Sequence, residues 1–417
     1  MKDYLIFKDA RQKLGLTLEE VAHGICSPSF LSLIERGLRQ PKPQLLQMLE
    51  IKLAKGFSNV ADQFRPSDEY LQALGFLAVG DGAAVEVLVD DMPSGQERTL
   101  IVALLNELKG ETAYAAALLE PVLRNCLISA NQFALATQAM VRMSRDMGDL
   151  YTAIYWAEST LSQLAQKWND DSQTHELVAT LSSVYLEAGD INRAKSLINS
   201  IQGTEVKDWD RVTALWSGGI LAFTTGDMAR ARIMLREAHQ LSIQSDRELS
   251  RARILQTTIW IEVRTGEVVA GSAPEQLERL STYFNERGLI EDFAQTLNTL
   301  ALVQAKTGNY LQATETAEAS LELLNDLPPL SRAKLGIWNA EVILALGDRH
   351  RASEILLNAI EVLSGTQASR STATAWAEMS EIFTLLGEPA LALDCLRSSV
   401  QAAGLIQVKS SAKILHE

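Results

Sequence analysis

The chain has 417 residues, of which 47% are hydrophobic and 22% are charged, and its formal net charge is −14. This length exceeds one ordinary core, so we expect at least two packing units or a repeat array. The composition argues against wholesale disorder. The longest uncharged stretch, residues 125–141, contains several polar side chains, so we expect no membrane span.

Motifs of enzymes and of exported proteins are missing from the sequence. The start of the chain carries Asp3 and runs into an amphipathic segment, so we expect no secretory signal. Three widely spaced cysteines, Cys26, Cys126 and Cys395, fit a reducing compartment and predict a cytoplasmic protein. No phosphate loop, nucleophile elbow or paired-histidine zinc motif occurs. The sequence therefore predicts neither an enzyme nor a cofactor or metal site.

Charge is distributed unevenly along the chain. Residues 1–65 carry ten Lys and Arg against seven Asp and Glu, a net +3, whereas residues 66–417 carry −17. Contact with phosphates needs only a local basic face. The charge balance therefore predicts that any nucleic-acid contact falls to the first segment.

This first segment has the start and stop signals of four short helices. An apolar stripe predicts a first helix that ends at Gly15. Thr17 and Glu20 form a capping box for the second helix, and Ser27 followed by Pro28 opens the third. The fourth helix has a buried side, which consists of Leu45, Leu46, Leu49 and Leu53. Two short helices joined by a tight turn form a helix-turn-helix, which places its second helix in the major groove of DNA.

A more specific pattern lies within these helices. It reads LTLEEVA at residues 16–22, SPSFLSLIERG at residues 27–37 and RQP at residues 39–41. The pattern resembles the Xre/Cro-repressor type of DNA-binding domain, over residues 4–56. Many members of that family carry a phosphate-contacting Gln where this chain has Leu18, which removes one expected backbone contact.

The resemblance implies a DNA-binding surface on the third helix and the loop that follows it. Arg36, Arg39 and Lys42 would meet phosphates, whereas serines on the helix would bond base edges or phosphate. Phe30 would contact a thymine methyl group, or it would pack inside its own domain. The implied DNA-binding residues are Thr17, Ser27, Pro28, Ser29, Phe30, Ser32, Leu33, Arg36, Arg39 and Lys42.

A glycine recurs at nearly fixed steps through residues 66–417. It is followed by a small polar or acidic residue and, in most copies, by an alanine five residues later. From Gly110 the steps are 38, 41, 37, 40, 42, 39 and 40 residues. Glycine takes the left-handed conformation that ends one helix, and the alanine lets the next helix approach closely. The pattern resembles the tetratricopeptide (TPR) repeat.

The predicted fold class is therefore all-α. A helix-turn-helix DNA-binding domain at residues 1–65 precedes a TPR-like right-handed α-solenoid at residues 66–417, which would sense a ligand and dimerise. Gly80 marks a weaker first repeat, so we expect eight or nine helix pairs with an extended concave groove. A different α-solenoid is the alternative.

In TPR-like arrays the first helix of each pair lines the groove, and the resemblance implies which positions face it. Bases and amides dominate those positions, a composition suited to a peptide, because amides bind its backbone and arginine binds a carboxylate. Asn298 is the leading candidate for binding a peptide backbone. The implied ligand-binding residues are Gln138, Arg142, Arg145, Trp216, Arg253, Gln256, Trp260, Arg264, Gln295 and Asn298.

The two parts together resemble the peptide-responsive RRNPP regulators of Gram-positive bacteria, which act in quorum sensing. The resemblance implies a sequence-specific bacterial transcription regulator that binds a (pseudo)palindromic double-stranded operator as a homodimer. A small effector, specifically a short peptide, would bind the array and modulate DNA binding. Two alternatives remain open: the repeats bind a partner protein, or the array is a phosphorelay-modulating scaffold.

Overall fold

The structure is a computed structural model that describes residues 8, 11–12, 15–39, 41–42, 45, 48–49, 52–53, 66–125, 129–167, 174–202, 208–266 and 272–404. Contacts divide the chain into two compact units. The first comprises residues 1–67 with 166–169, and the second comprises residues 68–165 with 170–417. All regular secondary structure in the described part is helical.

The first unit contains two short helices, α1 (Leu18–Ala22) and α2 (Pro28–Glu35). Their buried sides meet the described part of the predicted fourth helix, where Leu49 and Leu53 complete a small core. Most of the predicted first helix, and Leu46 of the fourth, lie outside the described residues.

The second unit is an array of nine helix pairs in the described residues, in which we call the first helix of each pair helix A and the second helix B. The A helices are α3 (Asp68–Ala78), α5 (Gln96–Leu108), α7 (Ala130–Asp146), α9 (His175–Glu187), α11 (Asp208–Thr224), α13 (Glu248–Arg264), α15 (Ile290–Lys306), α17 (Pro329–Ala345) and α19 (Arg370–Leu386). The B helices are α4 (Gly82–Asp91), α6 (Thr112–Asn125), α8 (Leu150–Lys167), α10 (Ile191–Gln202), α12 (Met228–Ser242), α14 (Ala273–Glu286), α16 (Tyr310–Glu322), α18 (Arg349–Ser364) and α20 (Pro389–Ala402). A short 3₁₀ helix, Leu323–Asp326, follows α16.

The recurring glycine ends helix A in every pair. Its φ lies between +75° at Gly80 and +97° at Gly347, the left-handed region that only glycine adopts at little cost. The alanine five residues later is buried in each copy that has it, from 0% exposed at Ala115 to 7% at Ala392. Helix B therefore packs closely against helix A immediately after the turn, and the all-α repeat prediction is confirmed.

Neighbouring pairs stack through their A helices. From α3 to α11, and again from α13 to α19, each A helix contacts the A helix of the next pair. The Phe223 and Trp260 rings, with centroids 5.2 Å apart, link α11 to α13. Within the described residues, no helix is both long and apolar enough to cross a bilayer.

Candidate DNA-binding and effector-binding sites

The start of α2 is fixed by its cap. The Ser27 hydroxyl accepts a hydrogen bond from the Phe30 amide at 3.2 Å, and Pro28 occupies the first helical position. The preceding helix α1 is capped reciprocally, because Thr17 Oγ1 accepts from the Glu20 amide and Glu20 Oε2 accepts from the Thr17 amide at 2.6 Å. Both helices therefore begin where the sequence predicted.

The predicted DNA-binding residues differ in their exposure. Phe30 and Leu33 are half-buried, and Phe30 packs against the core of the unit, as in the alternative interpretation of that residue. Pro28 and Ser32 are also half-buried. The exposed members of the set are Thr17, Ser27, Ser29, Arg36, Arg39 and Lys42. The surface open to a duplex is therefore hydroxyl-bearing at the start of α2 and cationic beyond its end.

An ion pair inside the unit holds the ends of the motif together. Arg11 donates to both carboxylate oxygens of Glu35, at 2.8 and 2.9 Å, and to the Leu16 carbonyl at 2.9 Å. Glu35 is only 3% exposed, and its hydrogen bond to the guanidinium raises the pKa of Arg11. Glu35 is thus a structural residue that anchors the last turn of α2.

The predicted ligand-binding residues lie on one face of the A helices, which we call the inner wall. Side chains on this face contact A helices two pairs away: Arg264 of α13 bonds Glu341 of α17 at 2.7 Å, and Arg247 bonds Glu176 of α9 at 2.5 Å. Side chains on a convex face diverge from one another, so contacts across two repeats show that the inner wall is concave.

Polar pairs about one repeat apart cross the inner wall between several neighbouring A helices. Arg142 donates to both oxygens of Glu107 at 2.7 and 2.8 Å, and Arg253 donates to both oxygens of Asp292, the closer contact being 2.7 Å. These bidentate pairs join adjacent repeats. Other such bonds connect Gln138 to Glu176, Arg145 to Ser183, and Gln256 to Thr296 and the Asp292 carbonyl.

These ion pairs reduce the positive charge that the arginines of the inner wall expose. The sequence predicts a wall of bases and amides with few acids. In the structure, acids from other A helices pair with Arg142, Arg253 and Arg264. Arg145 pairs with Asp146, the next residue of its own helix. Position relative to the turn glycine assigns these side chains to one face of each helix, but it does not identify the side chains with which they pair.

Arg264 lies beside two indole rings that are in contact with each other. Its guanidinium carbon is 5.4 Å from the centroid of the Trp260 ring and 5.3 Å from that of Trp338, and the two ring centroids are 5.1 Å apart. We call Trp260, Arg264, Trp338 and Glu341 the tryptophan–arginine cluster. Trp338 Nε1 donates to Glu378 Oε2 at 3.0 Å. Burial raises the pKa of Glu378, and the positive charge of Arg264 opposes that increase.

Four predicted ligand-binding residues carry a buried N–H group with no acceptor among the described residues. These groups are Trp216 Nε1, Trp260 Nε1, Arg264 Nε and Asn298 Nδ2. Asn298 itself is 2% exposed, so a ligand would reach its amide only if neighbouring side chains moved. Gln295 is half-buried on the same helix. The inner wall therefore combines satisfied repeat-joining pairs with unsatisfied donors.

Comparison with protein families identifies the type of domain in the first unit. Residues 7–57 match the family model described as Helix-turn-helix, HTH_3. The chain carries an Xre-type helix-turn-helix domain. A search of curated protein sequences gives no significant match.

Comparison with solved structures places the fold of most of the chain. A Rap protein complexed with Competence and Sporulation Factor aligns with a TM-score of 0.54 at 14% identity, covering 83% of this chain and 98% of that one. At this identity the similarity establishes the fold alone. Two further structures align less closely. Apo RapI has a TM-score of 0.47 at 18% identity, covering 65% of this chain and 98% of its own. Bacillus thuringiensis PlcR, in complex with the peptide PapR7 and DNA, has a TM-score of 0.39 at 12% identity, covering 69% and 96%.

The sequence motif did not predict two contacts inside the helix-turn-helix domain. Arg11 counts as one of the basic residues of the segment, yet its guanidinium serves Glu35. Lys52 donates to the His23 carbonyl at 2.7 Å. Among the described residues of the domain, the exposed Lys and Arg side chains are Lys8, Arg36, Arg39 and Lys42, and the last three lie at the end of α2 and beyond it.

Proposed function

We propose that this protein is a sequence-specific bacterial transcription regulator whose repeat array binds a small effector, specifically a short peptide, that modulates DNA binding. The observation that carries the proposal is the capped helix α2 of the helix-turn-helix domain, whose exposed residues lie beside a cationic loop. The proposed function is binding without a catalytic step.

The DNA-binding part is supported by the surface of the domain. Ser27 and Ser29 expose hydroxyl groups at the start of α2, where a recognition helix contacts base edges. Arg36, Arg39 and Lys42 expose positive charge beyond its end, where phosphates would lie. Because α2 carries no Arg, Gln or Asn, sequence preference would come partly from DNA shape and operator symmetry.

A single recognition helix covers only one half-site. Paired half-sites on one face of B-DNA lie about 34 Å apart or at multiples of that spacing. We therefore propose a homodimer on a (pseudo)palindromic operator. An effector that changes the array would alter the spacing of the two domains and, through it, operator affinity.

The effector-binding part is supported by the inner wall. Its concave shape, its aromatic rings and its unsatisfied N–H groups suit an extended ligand rich in hydrogen-bond acceptors. The Rap protein that shares the fold was solved with Competence and Sporulation Factor. The resemblance to peptide-responsive regulators points in the same direction and names a short peptide.

The DNA claim predicts a defined salt dependence. Duplexes would first be selected from a random pool by the full-length protein, and affinity for the selected duplex measured by gel shift at several salt concentrations. Arg39→Ala combined with Lys42→Ala should weaken binding and reduce the slope of log affinity against log salt by about 1 for each lost phosphate contact.

The matched control is Lys195→Ala, which removes an exposed lysine from α10 of the array. It should leave the slope unchanged. A double variant with the same slope as the unmodified protein would show that the assigned phosphate surface is wrong. A protein that selects no duplex at low salt would contradict DNA binding itself.

A further inference from the structure

The inner wall holds N–H groups that the described residues leave without partners. Buried polar groups in native proteins nearly always have a hydrogen-bond partner, and an unpaired one costs about 1–3 kcal/mol. Trp260 Nε1 and Arg264 Nε are two such groups. Both are donors, so what they lack is an acceptor.

These two donors are positioned together. Trp260 and Arg264 are four residues apart on α13, which places them on the same face of the helix one turn apart. The guanidinium lies within cation–π distance of the Trp260 and Trp338 rings. Two rings therefore restrict the orientation of the guanidinium.

The same guanidinium already holds one carboxylate. Arg264 Nη2 donates to Glu341 Oε2 at 2.7 Å, while the Arg264 side chain is 18% exposed and that of Glu341 is 41% exposed. The acceptor is thus the more exposed partner of the pair, and it reaches Arg264 from two helix pairs away. Movement of Glu341 toward solvent would free Arg264 Nη2, and a ligand would reach the buried Nε only if neighbouring side chains also moved.

We propose that Trp260 and Arg264 form a subsite for a carboxylate group of the effector, and that Glu341 occupies the guanidinium in its place when no effector is bound. This inference deepens the proposed function and rests on it. A carboxylate matches the site because it offers two acceptor oxygens to donors that have none, and its charge strengthens each bond. A neutral amide at the same position would bring one acceptor and further donors.

The carboxylate of a peptide effector could be its C-terminus or an acidic side chain. Three peptide pools distinguish these two sources. All contain N-acetylated hexapeptides of Ala, Ser, Gln, Leu and Phe. The first pool has free C-terminal carboxylates, the second has C-terminal amides, and the third has C-terminal amides with one Glu in each peptide. Binding to the full-length protein is followed by thermal unfolding and by tryptophan fluorescence.

The free-acid or the Glu-containing pool should bind at least about tenfold more tightly than the neutral pool, because a hydrogen bond to a charged group is worth about 1.5–3 kcal/mol. The pool that gains the affinity identifies the source of the carboxylate. Equal affinity for all three pools would leave peptide binding in place and overturn the subsite. Failure of every pool to bind would contradict the peptide effector and the subsite with it.

Three variants test the residues themselves. Trp260→Phe keeps an aromatic ring and removes the indole N–H, and Arg264→Gln removes the positive charge. Each variant should reduce the affinity ratio between the favoured pool and the neutral pool by about tenfold. Glu341→Gln should raise affinity for the favoured pool, because it weakens the internal competitor. Arg279→Gln removes an exposed arginine of α14 and should change nothing.

Two results from the variants would overturn the subsite. One is unchanged preference for carboxylate in both Trp260→Phe and Arg264→Gln, with the far-ultraviolet circular dichroism of each intact. The other is weaker carboxylate binding in Glu341→Gln, which would make Glu341 a positioning residue for Arg264 and not its competitor.

Discussion

Arg11 and Arg36 show how a partner decides the role of a residue. Both belong to the basic first segment, and both would count toward a phosphate-binding surface. In the structure Arg36 is exposed, whereas the Arg11 side chain is 13% exposed and bonded to Glu35. The charge of Arg11 therefore stabilises the fold of the helix-turn-helix domain and is withheld from solvent.

This difference predicts that replacing Arg11 affects the stability of the domain, whereas replacing Arg36 affects its affinity for DNA. Arg11→Ala leaves the 3%-exposed Glu35 without its cation, and removing one partner of a buried pair costs about 3–5 kcal/mol. Hydrogen exchange of the α2 amides should accelerate strongly in Arg11→Ala, while the array amides remain protected. Arg36→Ala should leave exchange unchanged and weaken DNA binding instead. Retained α2 protection in Arg11→Ala would show that the ion pair does not hold the domain.

For single residues, the sequence indicates a helix face but not the side chains that are contacted there. Spacing from the turn glycine places Arg253 and Gln256 on the same face of α13, because helical geometry alone fixes that face. Their partners, Asp292 and Thr296, lie about one repeat further along the chain. Which side chain they meet depends on rotamers and on the angle between helices, and neither is encoded in the spacing.

At the scale of single elements, close crossing of helix A and helix B depends on small residues. Gly219 lies in α11, where an added Cβ would lie 2.7 Å from Leu235 Cγ and 3.3 Å from the Ala231 carbonyl oxygen. Real side chains do not tolerate such proximity, so α11 and α12 would have to move apart. By contrast, Gly75 lies in α3 with open space around the position of its Cβ.

Substituting alanine at these two glycines should change stability in opposite directions. Gly219→Ala should destabilise the array by about 1–3 kcal/mol, the usual cost of overpacking. Gly75→Ala should stabilise it by about 0.5–1 kcal/mol, because alanine is the better helix former and meets nothing. Chemical denaturation of the full-length chain measures both free energies of unfolding. A stabilising Gly219→Ala would show that the two helices are less closely packed than the structure indicates.

Glycine spacing was sufficient to predict the repeats because each turn needs a left-handed residue, a local requirement. Gly80 and Gly266 both have positive φ, although their copies of the motif are the weakest. Helix and loop lengths both vary between repeats, which explains the steps of 37 to 42 residues.

On the scale of the whole array, pairs far apart in the chain touch one another. The Val79 carbonyl after α3 accepts from Tyr283 Oη at 2.8 Å and from Arg287 Nε at 2.7 Å. Glu187 at the end of α9 accepts from the Ser371 amide at 2.7 Å and from its hydroxyl at 2.6 Å. The first contact joins pair one to pair six, and the second joins pair four to pair nine. Pairs that lie five positions apart along the chain are therefore in contact. No local sequence pattern predicts these contacts.

Loss of one of these long-range contacts should loosen the array without unfolding its repeats. Glu187→Ala removes both acceptors of Ser371, and hydrogen bonds to a charged group are worth about 1.5–3 kcal/mol. Amides in the first turn of α19 should exchange about tenfold faster or more, and small-angle scattering should show a larger radius of gyration. Glu275→Ala, which removes an exposed carboxylate paired within α14, should alter neither. If Glu187→Ala matches that control in both measurements, the dimensions of the array are set by stacking of neighbouring pairs alone, and the contact between α9 and α19 contributes nothing to its closure.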